Sequence, residues 1–344
     1  MTTGQDHSPA GLMDYVEALE ADGAPLLGHL VLYSIFSGQV TPDLARQWFR
    51  ELGLNQAYAP GEIRAVDVYE RITGPSGVKR AYPIGQEQAR RPRREGGRAH
   101  EGLLMIRHVS RGKDRIVRQL VREVRDEEHT RLSYDARLAV ITFLRHSDDD
   151  APAGAGTLRI ELDSESIAAL PGTEQQHVTE VLDEVRQAFD RGRVFLSADR
   201  LRAAVRTYIE SLHPIRVRPT GGVYFVGRQN AVTLGALREL VARFGNGGNL
   251  TRVPLPDQDE MRQMIISAFV TRSGEELDKL AYEIKKAQER EPSTTAIQAL
   301  HKRFTDLQAA AAEHEQLLGA SIDDARASMR LVQLQMASLL ARAS

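Results

Sequence analysis

The chain has 344 residues, 42% hydrophobic and 27% charged, with a formal net charge of −2 and no cysteine. This balance excludes a disordered or fibrous chain and allows two or three domains with buried cores. The lack of cysteine excludes disulfide scaffolds and thiolate metal centres and fits a cytoplasmic protein. The most apolar early run, LLGHLVLYSIF at 26–36, falls well short of the roughly 20 residues of a membrane-spanning helix. No basic stretch precedes it, so neither an anchor nor a signal peptide is expected.

The small net charge hides an uneven distribution. Between Ser76 and His146 there are 17 Lys/Arg against 9 Asp/Glu, leaving 28 against 38 in the rest of the chain. A basic segment therefore sits inside an acidic protein.

In chain order, residues 1–75 read as a helical domain. Leu12, Val16 and Leu19 begin one helix, and 24–36 reads as another. Thr41 as N-cap, Pro42 at the first helical position and Leu44, Trp48 and Leu52 on one face mark a third. Residues 76–146 read as β-rich: GLLMIRHVS, DRIVRQLVREV and RLSYDARLAVITFLR are separated by polar turns. The middle run fits both periods, because Ile116, Leu120 and Val124 also repeat at helical spacing. Its neighbours and the hairpin spacing favour a strand. Residues 88–100, QARRPRREGGRAH, form an Arg-rich loop, and 147–157, SDDDAPAGAGT, has the composition of a linker and is placed as the main domain boundary.

Residues 158–256 read as an α/β domain. A strand at 157–162 enters it, followed by a helix at 174–191, a short strand RVFL, and a helix capped by Ser197 that carries Leu201, Val205, Tyr208 and Leu212. The His213–Pro214 step stops that helix, since the residue before proline avoids the α region. The hairpin HPIRVRPTGGVYFV follows, then a helix at 232–244 ending in GNGGN and a strand LTRVPLP. The helix and hairpin together have the arrangement of a winged helix, weighed against a hairpin that covers a core.

Residues 257–344 are helical. A first helix at 257–290 carries Met261, Ile265, Phe269, Leu277, Leu280 and Ile284, with a break expected near Ser273–Gly274. Ile297, Leu300, Phe304, Leu307, Ala311, His314 and Leu318 then step alternately by three and four, and Ile322, Ala325, Met329, Val332, Met336 and Leu339 resume after Gly319. This is a heptad seam, although His314 and the small or flexible residues make it an impure one.

Three functions are weighed on these elements. The leading one is a non-enzymatic cytoplasmic interaction or assembly protein, forming a homo-oligomer or binding a protein partner through its C-terminal helices. Its contact residues would be Ile297, Leu300, Phe304, Leu307, Leu318, Ile322, Met329, Val332, Met336 and Leu339. The alternative is nucleic-acid binding by the basic segment (Arg91, Arg93, Arg94, Arg98) and by Arg202, Arg206, Arg216 and Arg218 of the helix and hairpin. The weakest is a metal-dependent enzyme around Asp163 and Glu165, the one carboxylate pair at a strand end. The histidines show no metal-ligand spacing, GNGGN follows a helix and so reads as a helix end, and no cofactor, metal or membrane contact is expected. The fold class is α+β, mainly helical, with a central β-rich segment and a C-terminal module of long helices.

Overall fold

The computed structural model describes residues 25–84, 100–125, 131–146, 154–217, 222–289, 293–318 and 323–343. The helix expected over Leu12, Val16 and Leu19 lies outside them. Strand β1 (Leu26–Ser34) opens the described chain, followed by α1 (Pro42–Glu51) and α2 (Ala65–Ile72). Strands β2 (Lys79–Ile84), β3 (His100–Arg111), β4 (Arg115–Arg125), β5 (Arg131–Arg145) and β6 (Gly156–Leu162) come next. Then α3 (Ser164–Ala168), α4 (Gly172–Val194) and α5 (Ala198–Glu210) lead to β7 (Ile215–Arg216) and β8 (Tyr224–Gly227). Helix α6 (Ala231–Phe244), β9 (Asn249–Pro256) and the long helices α7 (Asp259–Gln288), α8 (Thr294–Leu318) and α9 (Asp323–Ala343) complete it. The fold is α+β with a curled sheet and a C-terminal helical region.

The chain groups into two compact units. One comprises the described residues of Met1–Gly38, Ala45–Pro60 and Ala198–Ser344; the other comprises Gln39–Leu44 and Gly61–Ser197.

The second unit is built on a five-stranded antiparallel meander in the order β2-β3-β4-β5-β6. One face of that sheet packs on α2 and α4. Leu104, Ile116, Leu120, Ile141 and Phe143 of the strands share a core with Tyr69 and Ile72 of α2 and with Val178, Val181, Leu182, Val185 and Phe189 of α4. Burial of this kind contributes about 1.5–3 kcal/mol per large apolar side chain. The Tyr69 hydroxyl, deep in that core, donates to the Ile141 carbonyl at 2.8 Å and lies 3.3 Å from that of Ile116. Burial pushes its pKa well up, because the phenolate would be stranded there.

The boundary expected at 147–157 is corrected here. Strand β6 pairs with β5 from Ala139↔Leu162 to Arg145↔Gly156, so the polar stretch joins adjacent strands of one sheet. A linker-like composition also suits a long hairpin connection, and composition alone does not separate the two. The ambiguous middle run is strand β4, bonded on both sides. The short strand expected at RVFL is instead the end of α4, after which Leu196 N–H donates to the Val40 carbonyl at 2.8 Å.

The first unit contains a four-stranded sheet in the order β7-β8-β1-β9. Its first strand overturns the helix expected at 24–36. Leu30 and Phe225 are paired across β1 and β8 and face the core formed with α7, α8 and α9. Val31, Tyr224 and Val226 alternate with them and are buried as well. On the β9 side Arg252 donates to the Ala231 carbonyl at the start of α6. A strand covered on both faces reads as an unbroken apolar run, and such a run has no period-two signal to separate it from a helix.

Gly28 is the residue that the helical reading leaves unexplained. A Cβ there would press on the Val226 carbonyl oxygen and stand 2.9 Å from Gly227 Cα, both main-chain atoms of the paired strand. Gly28→Ala should therefore lower stability by about 1–3 kcal/mol through overpacking, seen as a lower urea midpoint.

Helices α7, α8 and α9 share one core. Ile265, Phe269, Leu277, Leu280 and Ile284 of α7 pack with Ile297, Leu300, Phe304 and Leu318 of α8 and with Met329, Val332, Met336 and Leu339 of α9; Leu307 is partly buried against them. Helix α7 runs without the break expected at Ser273–Gly274: Ser273 is buried at the bundle face. No described helix is long and apolar enough to cross a membrane.

Candidate functional site

The heptad residues named above face one another within a single chain, closed by α7, so the seam is filled intramolecularly. Ile322 lies outside the described residues. What this packing leaves open is a cleft on the flank of the bundle, where the β7–β8 hairpin meets α7 and α8.

The cleft follows from local sequence rules. Helix α5 ends at Glu210, and His213, just before Pro214, takes φ of 50°, the left-handed region that a non-glycine residue adopts only under constraint. The chain then turns into β7, with Ile215↔Phe225 and Arg216↔Tyr224 paired. Val217 N–H points back to the Val223 carbonyl. By alternation, the main-chain groups of Arg216 point away from β8, toward the open edge of the sheet.

Two hollows adjoin this edge. One of about 380 Å³ is walled by residues including His213, Tyr224, Phe269, Arg303 and His314. The other, about 290 Å³, runs between Val217 and the Met264, Ser267, Ala268 and Thr271 face of α7. Arg216 and Arg272 line both. Arg216 lies 5.5 Å over the Tyr224 ring and 3.7 Å from Glu210, a loose pairing. Arg272 pairs with Glu275 at 3.1 Å, and Arg303 ties α8 to α7 through Glu276 at 2.6 Å and Glu283 at 2.7 Å. On the neighbouring strand, burial raises the Tyr33 phenol pKa, Tyr224 and Glu210 add to the rise, and Arg206 and Arg216 oppose it. Arg206, Glu210 and Arg216 therefore sit within electrostatic reach of one tyrosine.

Two consecutive residues of α8 hold the His213 turn. Glu313 Oε2 lies 2.6 Å from His213 Nδ1, and its other oxygen accepts from the Gln229 amide. His314 Nε2 is 2.9 Å from the His213 carbonyl oxygen.

The arginines proposed for nucleic acid separate into three groups. Arg91, Arg93, Arg94, Arg98 and Arg218 lie outside the described residues. Arg202 and Arg206 are exposed on α5, with Arg202 paired to Asp199 at 3.1 Å. Arg216 belongs to the cleft. Within the basic sheet many arginines meet acids from other elements: Arg80 pairs with Glu180, Arg111 with Glu70 at 2.9 Å, and Arg137 with Asp163 at 3.1 Å. The local positive field is thus answered by α2, α4 and the α3 cap. Asp163 caps α3, accepting from Ser166 N–H at 3.1 Å, and that bond together with Arg137 holds its carboxyl below the usual range. Its role here is a cap, and among the described residues no group of three or more His, Asp or Glu is placed to hold a metal ion.

A second polar cluster escaped the sequence reading. Arg122 Nε donates to Glu174 at 2.6 Å and lies 3.1 Å from the Tyr82 hydroxyl, which itself donates to Glu174 at 2.6 Å; Arg122 Nη1 reaches Asp135 at 2.8 Å. Its members are scattered along the sequence, so no local pattern marks them. The His213 site had a local sign: a histidine at a heptad core position, His314, and a proline-stopped helix end at 213.

Comparison with curated proteins and with solved structures gives no match. Residues 26–344 match the model of a family described as a family of unknown function, DUF6744, and the chain belongs to that family.

Proposed function

We propose that this is a non-enzymatic interaction protein that engages a partner through its C-terminal helices, and that the contact is the cleft along β7, α7 and α8. One observation carries the reading: two hollows share Arg216 and Arg272 and follow the open edge of β7. An edge strand offers main-chain donors and acceptors to an extended segment, while hollows beside it take alternate side chains. The exposed small residues Ser267 and Thr271, one helical turn apart, leave room beside α7. Val217, Met264 and Ala268 give an apolar floor, and the loosely paired Arg216 favours an acidic side chain in the ligand. The heptad residues support this function indirectly, by fixing the helices that wall the cleft.

The test uses a blocked peptide of alternating valine and glutamate, its valine–lysine counterpart, and a change in fluorescence anisotropy. The acidic peptide should bind the full chain, and Thr271→Trp should weaken binding by about tenfold or more, equivalent to about 1.4 kcal/mol, without moving the urea midpoint. No binding at millimolar peptide, or equal binding by the lysine peptide, would refute the reading.

A further inference from the structure

His314 occupies a position where its heptad neighbours are apolar, and it is 1% exposed. A buried imidazole needs its nitrogens accounted for. Nε2 faces the His213 carbonyl, an acceptor only, so Nε2 carries the proton. The lone pair is then on Nδ1, which is buried and has no hydrogen-bond partner among the described residues. The site therefore suits the neutral ring, since a second proton on Nδ1 would meet no acceptor.

The groups around the ring decide whether a charge could be tolerated. From α8 there is Glu313; from the turn, His213; from α7, the Phe269 ring at 5.1 Å and the uncharged Ser273, with Arg272 and Glu276 farther along the cleft wall. Glu210, Arg216 and Tyr224 line the opposite wall, and Arg303 and Asp306 lie on α8. Burial is the largest influence and pushes the His314 pKa down; Glu313 and the His213 carbonyl oppose this, while the His213 ring adds to it. Glu313 is already engaged by His213 and Gln229, so it offers the His314 ring no hydrogen bond.

We propose that Glu313 and His314 form a pH-sensitive latch on the His213 turn, closed while His314 is neutral and released when it takes up a proton. The turn is suited to release, because its left-handed histidine persists in that conformation only while its surroundings enforce it. An unfolded-chain histidine binds its proton near pH 6.5, whereas the closed site binds it only at lower pH. The open form is therefore favoured by up to about tenfold for each pH unit below about 6.5, until the closed site also protonates. His213 and Arg216 wall the cleft, so release would also loosen the peptide site; that consequence rests on the proposed function, and the latch does not.

The experiment is an NMR titration of the full chain, reading the imidazole signals together with hydrogen-exchange protection of the Ile215 and Val217 amides. The His314 midpoint should lie below the ordinary histidine value. Protection of the turn should fall below pH 6.5 by up to tenfold per unit, while the Leu30 and Val226 amides, which lie on the β1 and β9 side of the sheet, stay protected. His314→Gln, which keeps a donor and cannot titrate, should make the turn's protection flat over that range. A His314 midpoint at or above the ordinary value, flat protection in the wild type, or turn and sheet amides failing together would each overturn the latch. Should the glutamine variant not fold, the wild-type titration decides alone.

Discussion

Arg122→Met should destabilise the five-stranded unit by about 3–5 kcal/mol, the usual result of stripping one partner from a buried ion pair. The side chains of Arg122 and Glu174 are 11% and 7% exposed. Without the guanidinium, Glu174 keeps the Tyr82 hydroxyl as a donor to its carboxylate, and a charge remains in the core. Asp135 is 41% exposed and can turn to water, so the loss is concentrated on Glu174. The double variant Arg122→Met with Glu174→Gln should recover most of the stability, because the stranded charge is gone. Urea unfolding of the two variants checks this: a near-neutral single variant, or no recovery in the double, contradicts it. The same enclosure acts on Tyr82, whose phenol is pushed up to about 12 by burial, with Glu174 adding to the rise.

Phe225→Ala should cost about 3–5 kcal/mol, the range for deleting a buried aromatic side chain. Phe225 is fully buried on β8, a strand paired on both sides, and belongs to the same core as α7, α8 and α9. Collapse around the vacated space is limited because both the strand and the bundle are fixed by their own hydrogen bonds. Leu331→Ala is the matched control: that side chain is 60% exposed on α9, so its removal should change stability by no more than about 0.5 kcal/mol. Equal urea midpoints for the two variants would show that β8 is not joined to the bundle core as described.

What was legible in the sequence follows from which signals are local. The strands β3, β4 and β5 carry their own alternation and turns, and α7 and α8 carry their own periodicity, so both were readable. β1 was not, because burial on both faces erased the alternation. The chain position of the 147–157 stretch said nothing about whether β6 would return to the same sheet. The heptads were visible, but periodicity specifies an apolar face without saying what covers it; here α7 does. His314 stood out in that pattern, whereas its partners, His213 and Phe269, come from other elements and became apparent only in three dimensions.

The position of β1 bears on the order of folding. It pairs with β8 and β9, roughly two hundred residues later in the chain, while residues 61–197 close their own core from contiguous sequence. During synthesis the inserted unit can form first, and β1 must wait with two open edges and two apolar faces until the hairpin and β9 emerge. Such a strand is a template for wrong pairing, and long-range pairing of this kind is slow. A ribosome-bound chain arrested after residues 61–197 have cleared the exit tunnel, but before β9 has, should therefore show a folded five-stranded unit attached to a sticky N-terminal segment, and the most aggregation-sensitive interval of this protein's life would end only when β9 is released.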